Sequence, residues 1–172
     1  MISLDLEVKS KKWLEQKNIE KFVRKTCEKI IPLTDLKKIL KKKFTLELAI
    51  SLVSNQQIKK INSEFRGKNS PTDVLSFSQL DENFLREFGI VKAAVGLSYL
   101  FLGDIVIAYE ITKKDAEKNK KKFENHLSHL ILHALLHLLG HDHEDEKMAE
   151  KMEKIEIKIL KQLGIQNPYR LN

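Results

Sequence analysis

The chain has 172 residues, enough for one domain with a sizeable core, and 31 Lys and Arg against 24 Asp and Glu give it a net charge of +7. No apolar run approaches the roughly 18 residues that a membrane-spanning helix needs, and the N-terminus lacks the pattern of a secretory signal. Cys27 is the only cysteine, which excludes intramolecular disulfides and cysteine-rich metal sites. We therefore expect a cytoplasmic protein with no membrane association, whose charge is compatible with a polyanionic partner such as RNA.

The N-terminal part of the chain shows both strand and helix periodicity. Apolar and polar residues alternate at positions 2–8 and 44–52, which predicts two half-buried strands. Between them, apolar residues at helical spacing predict a helix over residues 18–31, which Pro32 ends. A short basic helix is expected over residues 35–42.

The middle of the chain is less regular. Ser54 and Gln57 form a capping box ahead of an amphipathic helix. Short strands are predicted at residues 74–77 and 103–108. Residues 80–100 are too apolar for a solvated loop, so we expect them to form a small helix and a hairpin arm that partly covers the functional site.

The C-terminal third is helical in pattern. Thr112 is expected to cap a Lys-rich helix, a second helix follows to about Leu139, and a final amphipathic helix is predicted over residues 144–163. These elements predict a single α+β domain over residues 1–172, with a mixed sheet of about four strands packed with about five helices.

Three histidines near the end of the chain make the strongest functional pattern. His133 and His137 are four residues apart in a Leu-rich helical segment, so their imidazoles stack on one face. Gly140 offers the left-handed conformation that ends a helix, after which the reversed chain can return His143 toward the other two. Three nitrogen ligands leave a fourth position open, as in a catalytic zinc site. Nickel, cobalt or iron would also accept these ligands.

The same histidine spacing occurs in the zinc motif of metzincin peptidases. Those enzymes carry a Glu directly after the first histidine as general base, whereas Ala134 stands there in this chain. The pattern therefore predicts a metzincin-like metal site without the peptidase base.

The other polar residues near this motif have less specific interpretations. A ligand set of His129, His133 and His137 would span about 12 Å along a helix and could not converge on one ion. We therefore interpret His129 as a residue that supports the site or packs in the core, and His126 as lying nearer the surface. Asp142 is either a hydrogen-bond acceptor for a ligand imidazole or a solvent-facing turn residue.

A second polar cluster covers residues 66–77. Asp73 or Thr72 could satisfy backbone amides of the turn around Pro71. Arg66 is the candidate catalytic residue, because a guanidinium near a bound metal can grip a phosphate through paired hydrogen bonds.

Three sequence blocks resemble the YbeY family of bacterial ribosomal-RNA maturation factors. The first block is Asn62-x3-Arg66 followed by Pro71-Thr-Asp-Val-Leu-Ser-Phe77. The second is Leu102-Gly-Asp-Ile-Val-Ile107, and the third extends from His129 to His143 with the histidine spacing described above. The order and separation of the blocks fit the family over almost the whole chain.

The resemblance implies a zinc-dependent endoribonuclease. It implies one zinc ion held by His133, His137 and His143, with Arg66 contacting RNA in a basic cleft. It also implies single-strand-specific cleavage in ribosomal-RNA processing, namely maturation of the 16S rRNA 3′ end, and a role in ribosome quality control. The partners would be ribosomal RNA and the small subunit or its assembly factors.

The chain departs from the family pattern at the rim of the site. Ala134 and His141 stand where the family usually has Gly and Tyr, Ser78 stands where Pro is common, and residues 80–100 form a longer segment than usual. None of these departures removes a predicted metal ligand.

Three hypotheses follow for the chemistry. The first is the endoribonuclease, in which metal hydroxide, Asp73 or Asp104 acts as base, or cleavage follows the RNA 2′-hydroxyl route. The second is a metallopeptidase that uses the same ion. The third is a ribosome-assembly protein without catalysis, in which zinc stabilises the fold.

Overall fold

A mixed four-stranded sheet lies at the centre of the fold. A computed structural model describes residues 1–40, 45–143 and 145–170. The strands are β1 (Ile2–Val8), β2 (Thr45–Val53), β3 (Val74–Ser78) and β4 (Tyr99–Ala108). Their order is β1-β2-β4-β3, in which β1, β2 and β4 are parallel and β3 is antiparallel to β4.

The described residues contain seven α-helices. They are α1 (Ile19–Ile30), α2 (Lys37–Leu40), α3 (Asn55–Arg66), α4 (Glu82–Ala93), α5 (Tyr109–Lys118), α6 (Phe123–Leu138) and α7 (Glu146–Gln162). The count exceeds the expected five, although α2 is only one turn long and Gly89 interrupts α4 with a non-helical φ of 73°. The predicted α+β class is confirmed. Residues 41–44 of the predicted basic helix and second strand, and Glu144 of the last helix, lie outside the described residues.

The core forms between one face of the sheet and α6. Alternate residues of β2 are buried on this face, among them Leu48 and Ile50. They join a cluster that includes Ile131 and Leu135 of α6. Each fully buried aliphatic side chain contributes about 1.5–3 kcal/mol. The helix that carries the histidines is therefore held rigidly against the sheet. No described helix combines the length and apolar character needed to cross a bilayer.

Two local predictions were wrong. Residues 80–100 contain the expected helix, α4, but the start of β4 replaces the expected hairpin arm, because Tyr99 and Leu100 pair with Thr45 and Leu46 of β2. Thr112 does not cap a helix. It lies inside α5, where its hydroxyl donates to the carbonyl of residue 108 at 2.7 Å, a bond that Thr makes readily one turn back in a helix.

Gly103 allows β3 and β4 to approach closely. Its φ is 135°, and a Cβ at this position would overlap the carbonyl oxygen of Phe77. Only glycine combines this backbone conformation with the absence of a side chain. The position of β3, which borders the site described below, therefore depends on Gly103.

Candidate metal centre and groove

The end of α6 turns the chain back as the sequence predicts. Gly140 has a φ of 83°. The amide of His141 donates to the carbonyl of Leu136 at 3.0 Å, and the amide of Gly140 donates to that of His137 at 2.9 Å. These two bonds form a Schellman motif, which satisfies the last carbonyls of the helix. The turn directs the following residues back along α6.

The turn brings three histidines together. One nitrogen from each of His133, His137 and His143 lies within 4.8 Å of the others. The Nε2 atoms of His133 and His137 are 3.2 Å apart, close to the roughly 3.3 Å expected between two nitrogens bound tetrahedrally to one zinc at about 2.0–2.1 Å. The donor set and its spacing therefore fit a zinc ion.

A buried carboxylate orients the first histidine. Glu156 of α7 is 0% exposed, and its Oε1 lies 2.9 Å from Nδ1 of His133. If Nδ1 carries the proton, Nε2 is left as the free electron pair that a metal needs. The other carboxylate oxygen accepts a hydrogen bond from the Tyr169 hydroxyl and lies 3.5 Å from Nε2 of His129.

The charges of this network are set by burial and hydrogen bonding. Burial opposes ionisation of Glu156, but hydrogen bonds with His129, His133 and Tyr169 outweigh it and lower the pKa to about 2. Burial, followed by the neighbouring His133 and His143, lowers the pKa of His137 to about 4. At neutral pH Glu156 is an anion, and His137 is uncharged and able to bind a cation.

A groove of about 680 Å³ extends from the histidines to Arg66, and we call it the histidine groove. The end of α3, β3 and the end of α6 line it. Arg66 is exposed at the last position of α3, and Gly67 ends that helix with a φ of 67°. Asn62 is buried and donates from its amide nitrogen to the carbonyl of Ser70 at 2.8 Å, which ties down the loop after Arg66.

The two carboxylates considered as bases have different positions. Asp73 lines the groove, but its Oδ1 accepts the amide of Val74 at 2.8 Å and the hydroxyl of Thr72 at 3.1 Å, so it does serve the turn. Asp104 is paired in register with Phe77. Neighbours in register point to the same side of a sheet, and Phe77 packs with the cluster on the α3 side. Asp104 therefore faces away from α6 and, unlike Phe77, is not among the residues that line the groove, which contradicts its proposed role as base.

The structure separates the remaining histidines by role. His129 contacts Glu156 and does not join His133 and His137 in a metal-binding set; the second possible set among the described residues is His129, His133 and Glu156. His126 was predicted nearer the surface but is only 8% exposed, and it lines a pocket together with residues of the preceding loop and of the C-terminal segment. Asp142 accepts the amide of His143 at 2.7 Å, a turn contact.

Sequence reasoning missed Glu156 and Tyr169. Glu156 lies four residues after Met152 and three before Ile159, so it belongs to the apolar face of α7 and shares its burial. A carboxylate at a core position needs a partner, and this was the available signal. Tyr169 lies beyond the last helix, where no periodicity marks it.

Two aromatic rings lie at the mouth of the groove. Phe65 is 65% exposed, and its ring contacts that of Phe77 edge-on, with centroids 5.4 Å apart. Both rings line the histidine groove. They form an apolar surface next to Arg66.

Comparison with protein families assigns the chain. The family model described as Endoribonuclease YbeY matches residues 6–164. The chain belongs to the YbeY family. A YbeY endoribonuclease from Zymomonas mobilis is 37% identical over 169 residues, covering 98% of this chain and 93% of that protein. One from Francisella philomiragia is 45% identical over 123 residues, covering 72% and 73% of the two chains.

Comparison with solved structures identifies a protein of similar fold. The solution structure of a Thermotoga maritima protein superposes with a TM-score of 0.54 at 26% identity and covers 99% of both chains. The predicted family resemblance is confirmed by these matches.

Proposed function

We propose that the chain is a single-strand-specific, metal-dependent endoribonuclease that acts on ribosomal RNA. The processing step would be maturation of the 16S rRNA 3′ end, with a contribution to ribosome quality control in the cytoplasm. The small subunit or its assembly factors would be its partners. Membership of the YbeY family supports the nuclease class.

One observation carries this proposal: the three histidines and Arg66 line the same groove. A divalent cation held by His133, His137 and His143, with zinc the best fit, supplies a Lewis acid and an activated water when bound. Arg66 makes no hydrogen bond or ion pair with the part of the chain that the structure describes. Its guanidinium is therefore available to bind the scissile phosphate and to stabilise the charge that develops there.

The aromatic pair supports a preference for single strands. Phe65 presents an exposed ring beside Arg66, and an unpaired base can stack on such a ring. Bases inside a duplex have both faces covered by their neighbours. Cleavage would therefore be favoured where the RNA is unpaired.

The peptidase alternative has no base in the required place. Ala134 occupies the position of the peptidase Glu, and Ala134 is 1% exposed. The nearest buried carboxylate, Glu156, is directed to Nδ1 of His133, the opposite side of that ring from Nε2. A nuclease that uses an arginine and the RNA 2′-hydroxyl, or a metal-activated water, does not need a Glu at position 134.

The test is cleavage of a defined 16S precursor RNA by wild type, Arg66→Ala and His137→Ala, with chelator controls. We expect Arg66→Ala to retain its metal but to lower kcat/KM by about 10²–10³-fold, the usual loss when a group that stabilises developing charge is removed. His137→Ala should lose both metal and cleavage. Lys59→Ala, an exposed change on α3 outside the groove, is the matched control and should cleave normally.

The products identify the nucleophile. A 2′,3′-cyclic phosphate would show attack by the RNA hydroxyl, whereas a 3′-hydroxyl and 5′-phosphate would show attack by water. Cleavage that persists unchanged in both groove variants would come from a contaminant and would refute the proposal. Peptide cleavage that a chelator abolishes would favour the metallopeptidase instead.

A further inference from the structure

A second basic pocket lies at the N-terminal end of α6, and we call it the tail pocket. It is enclosed by residues 120–122, the first two turns of α6 and residues 164–170. Its volume of about 680 Å³ equals that of the histidine groove, with which it shares no lining residue. Three lysines and Arg170 line it, and no Asp or Glu of the described chain does so.

The backbone at this end of α6 is open to an acceptor. Lys122 is the N-cap residue and provides no side-chain cap. Within residues 1–40, 45–143 and 145–170, the amides of residues 123–125 find no hydrogen-bond acceptor. The N-terminus of a 16-residue helix carries a partial positive charge and favours an anion.

His126 provides the independent observation that points to a ligand. It lines the pocket, is only 8% exposed, and neither ring nitrogen has a hydrogen-bond partner among the described residues. A buried polar group without a partner costs about 1–3 kcal/mol. Both nitrogens are enclosed in this conformation, so a nitrogen would reach the pocket only if the ring turned, and such a turn would break no hydrogen bond.

The protonation of His126 suits an anionic acceptor. Burial is the main cause that lowers its pKa, so the ring is neutral near pH 7 and keeps one N–H. The pocket would then offer an N–H donor, the backbone amide of Asn125 and the cationic side chains of the lysines and Arg170. This combination matches the several acceptor oxygens and the negative charge of a phosphate.

We propose that the tail pocket binds a phosphate of the RNA strand that occupies the histidine groove. This inference rests on the proposed function. His126 precedes His133 by seven residues, or about 10 Å along the helix, a distance that an RNA strand can span within a few nucleotides. His129 lies between the two regions and contacts Glu156, which in turn orients His133.

The experiment compares two variants that remove the same charge. Lys120→Gln/Lys122→Gln removes two exposed cations from the tail pocket, and Lys21→Gln/Lys25→Gln removes two exposed cations from α1. The affinity of each metal-loaded full chain for a cleavage-resistant 2′-O-methyl RNA is measured over a range of salt concentrations. We expect the tail-pocket variant to bind at least fivefold more weakly. Its salt slope should fall by about 1.4, because each lysine that neutralises a phosphate of a single strand accounts for about 0.7 of that slope.

His126→Phe tests the buried donor separately from the charge. It preserves ring volume and removes a group that makes no hydrogen bond, so the fold should remain intact, and circular dichroism and metal content check this. We expect severalfold weaker RNA binding with an unchanged salt slope. In wild type, inorganic phosphate should shift the NMR signals of the His126 ring, and this shift should decrease in Lys120→Gln/Lys122→Gln.

Wild-type binding and cleavage test the proposed function, whereas the differences between variants test the tail pocket. If wild type binds RNA and both double variants bind it equally well, the tail pocket plays no part and the inference is overturned. Equal weakening of RNA binding by both double variants would show a general effect of charge and would also overturn the inference. A response to inorganic phosphate without any difference in RNA affinity would assign the pocket to a small anion instead.

Discussion

Oε1 of Glu156 lies 2.9 Å from Nδ1 of His133, although 23 residues separate the two in the chain. The contact leaves Nε2 of His133 facing His137 at 3.2 Å. The orientation of a metal ligand on α6 thus depends on a carboxylate of α7.

Replacement of Glu156 should weaken metal binding in a graded way. Glu156→Gln keeps an acceptor for Nδ1 but loses the charge, so we expect about tenfold weaker zinc binding; Glu156→Leu loses both, and the loss should approach 100-fold. Competition with a chromophoric chelator measures this. Glu150→Gln, an exposed change on the same helix, should have wild-type affinity, and equal affinity in all three variants would rule out the orienting role.

The assignment of His143 as the third metal ligand can be tested by comparison with the neighbouring His141. His143→Ala should bind no zinc after dialysis, because two imidazoles alone hold the ion weakly. His141→Ala should retain one ion per chain, since His141 lies outside the group of three. Metal analysis of the two purified variants measures this. Zinc retained by His143→Ala and lost from His141→Ala would show that His141 is the third ligand.

The exposed ring of Phe65 at the histidine groove is expected to contribute to RNA binding. Phe65→Ala should raise KM for single-stranded RNA by about 5- to 100-fold, because stacking of one base contributes about 1–3 kcal/mol. The melting temperature should hardly change, since Phe65 is 65% exposed. Leu14→Ala removes another exposed apolar side chain and serves as control. An unaltered KM would show that no base stacks at this position.

The metal-free protein should lose stability in acid. The pKa of His137 is about 4 in the folded chain and 6.5 in a free side chain. The unfolded state therefore binds more protons between these values, and the unfolding free energy should fall as pH decreases from about 6.5 to 4. The expected loss is about 1–2 kcal/mol, because the half-buried ring keeps some exposure to solvent. Urea titrations of wild type and His137→Gln measure it, and the variant should lack this component.

Gly103→Ala should displace β3. The added methyl group would overlap the carbonyl of Phe77 in a backbone conformation that alanine avoids. We expect a destabilisation of about 2 kcal/mol or more together with weaker RNA cleavage. Gly96→Ala is a useful control, because its φ is also positive but a Cβ there meets nothing within 4 Å. Equal effects of the two changes would mean that conformation alone, and not the close approach, matters.

Local pattern was sufficient to predict the parts of the site that lie close together in the chain. Alternation located β1 and most of β2, and the spacing from His133 to His143 predicted the turn that the structure contains. These features depend on backbone geometry and on one buried face. Both leave a periodic record in the sequence.

Contacts between segments that are distant in the chain produce no periodic pattern in the sequence. Glu156 lies on the apolar face of α7, but its partner His133 is revealed only by the packing of α7 beside α6. His126 was predicted to lie nearer the surface, yet it is buried and lines a pocket with a segment some forty residues later. Residues 80–100 were apolar enough for several structures, and their pairing with β2 depended on a strand more than forty positions earlier.

The Schellman turn after α6 fixes the number of residues that can separate His137 from His143. The amides of Gly140 and His141 are both engaged in closing the helix, and that of His143 is held by Asp142. An inserted or deleted residue in this segment would therefore rotate the imidazole of His143 away from His133 and His137. The turn has no unconstrained residue that could compensate for the change in length. The same holds within α7, where a change of length before Glu156 would rotate its carboxylate away from His133.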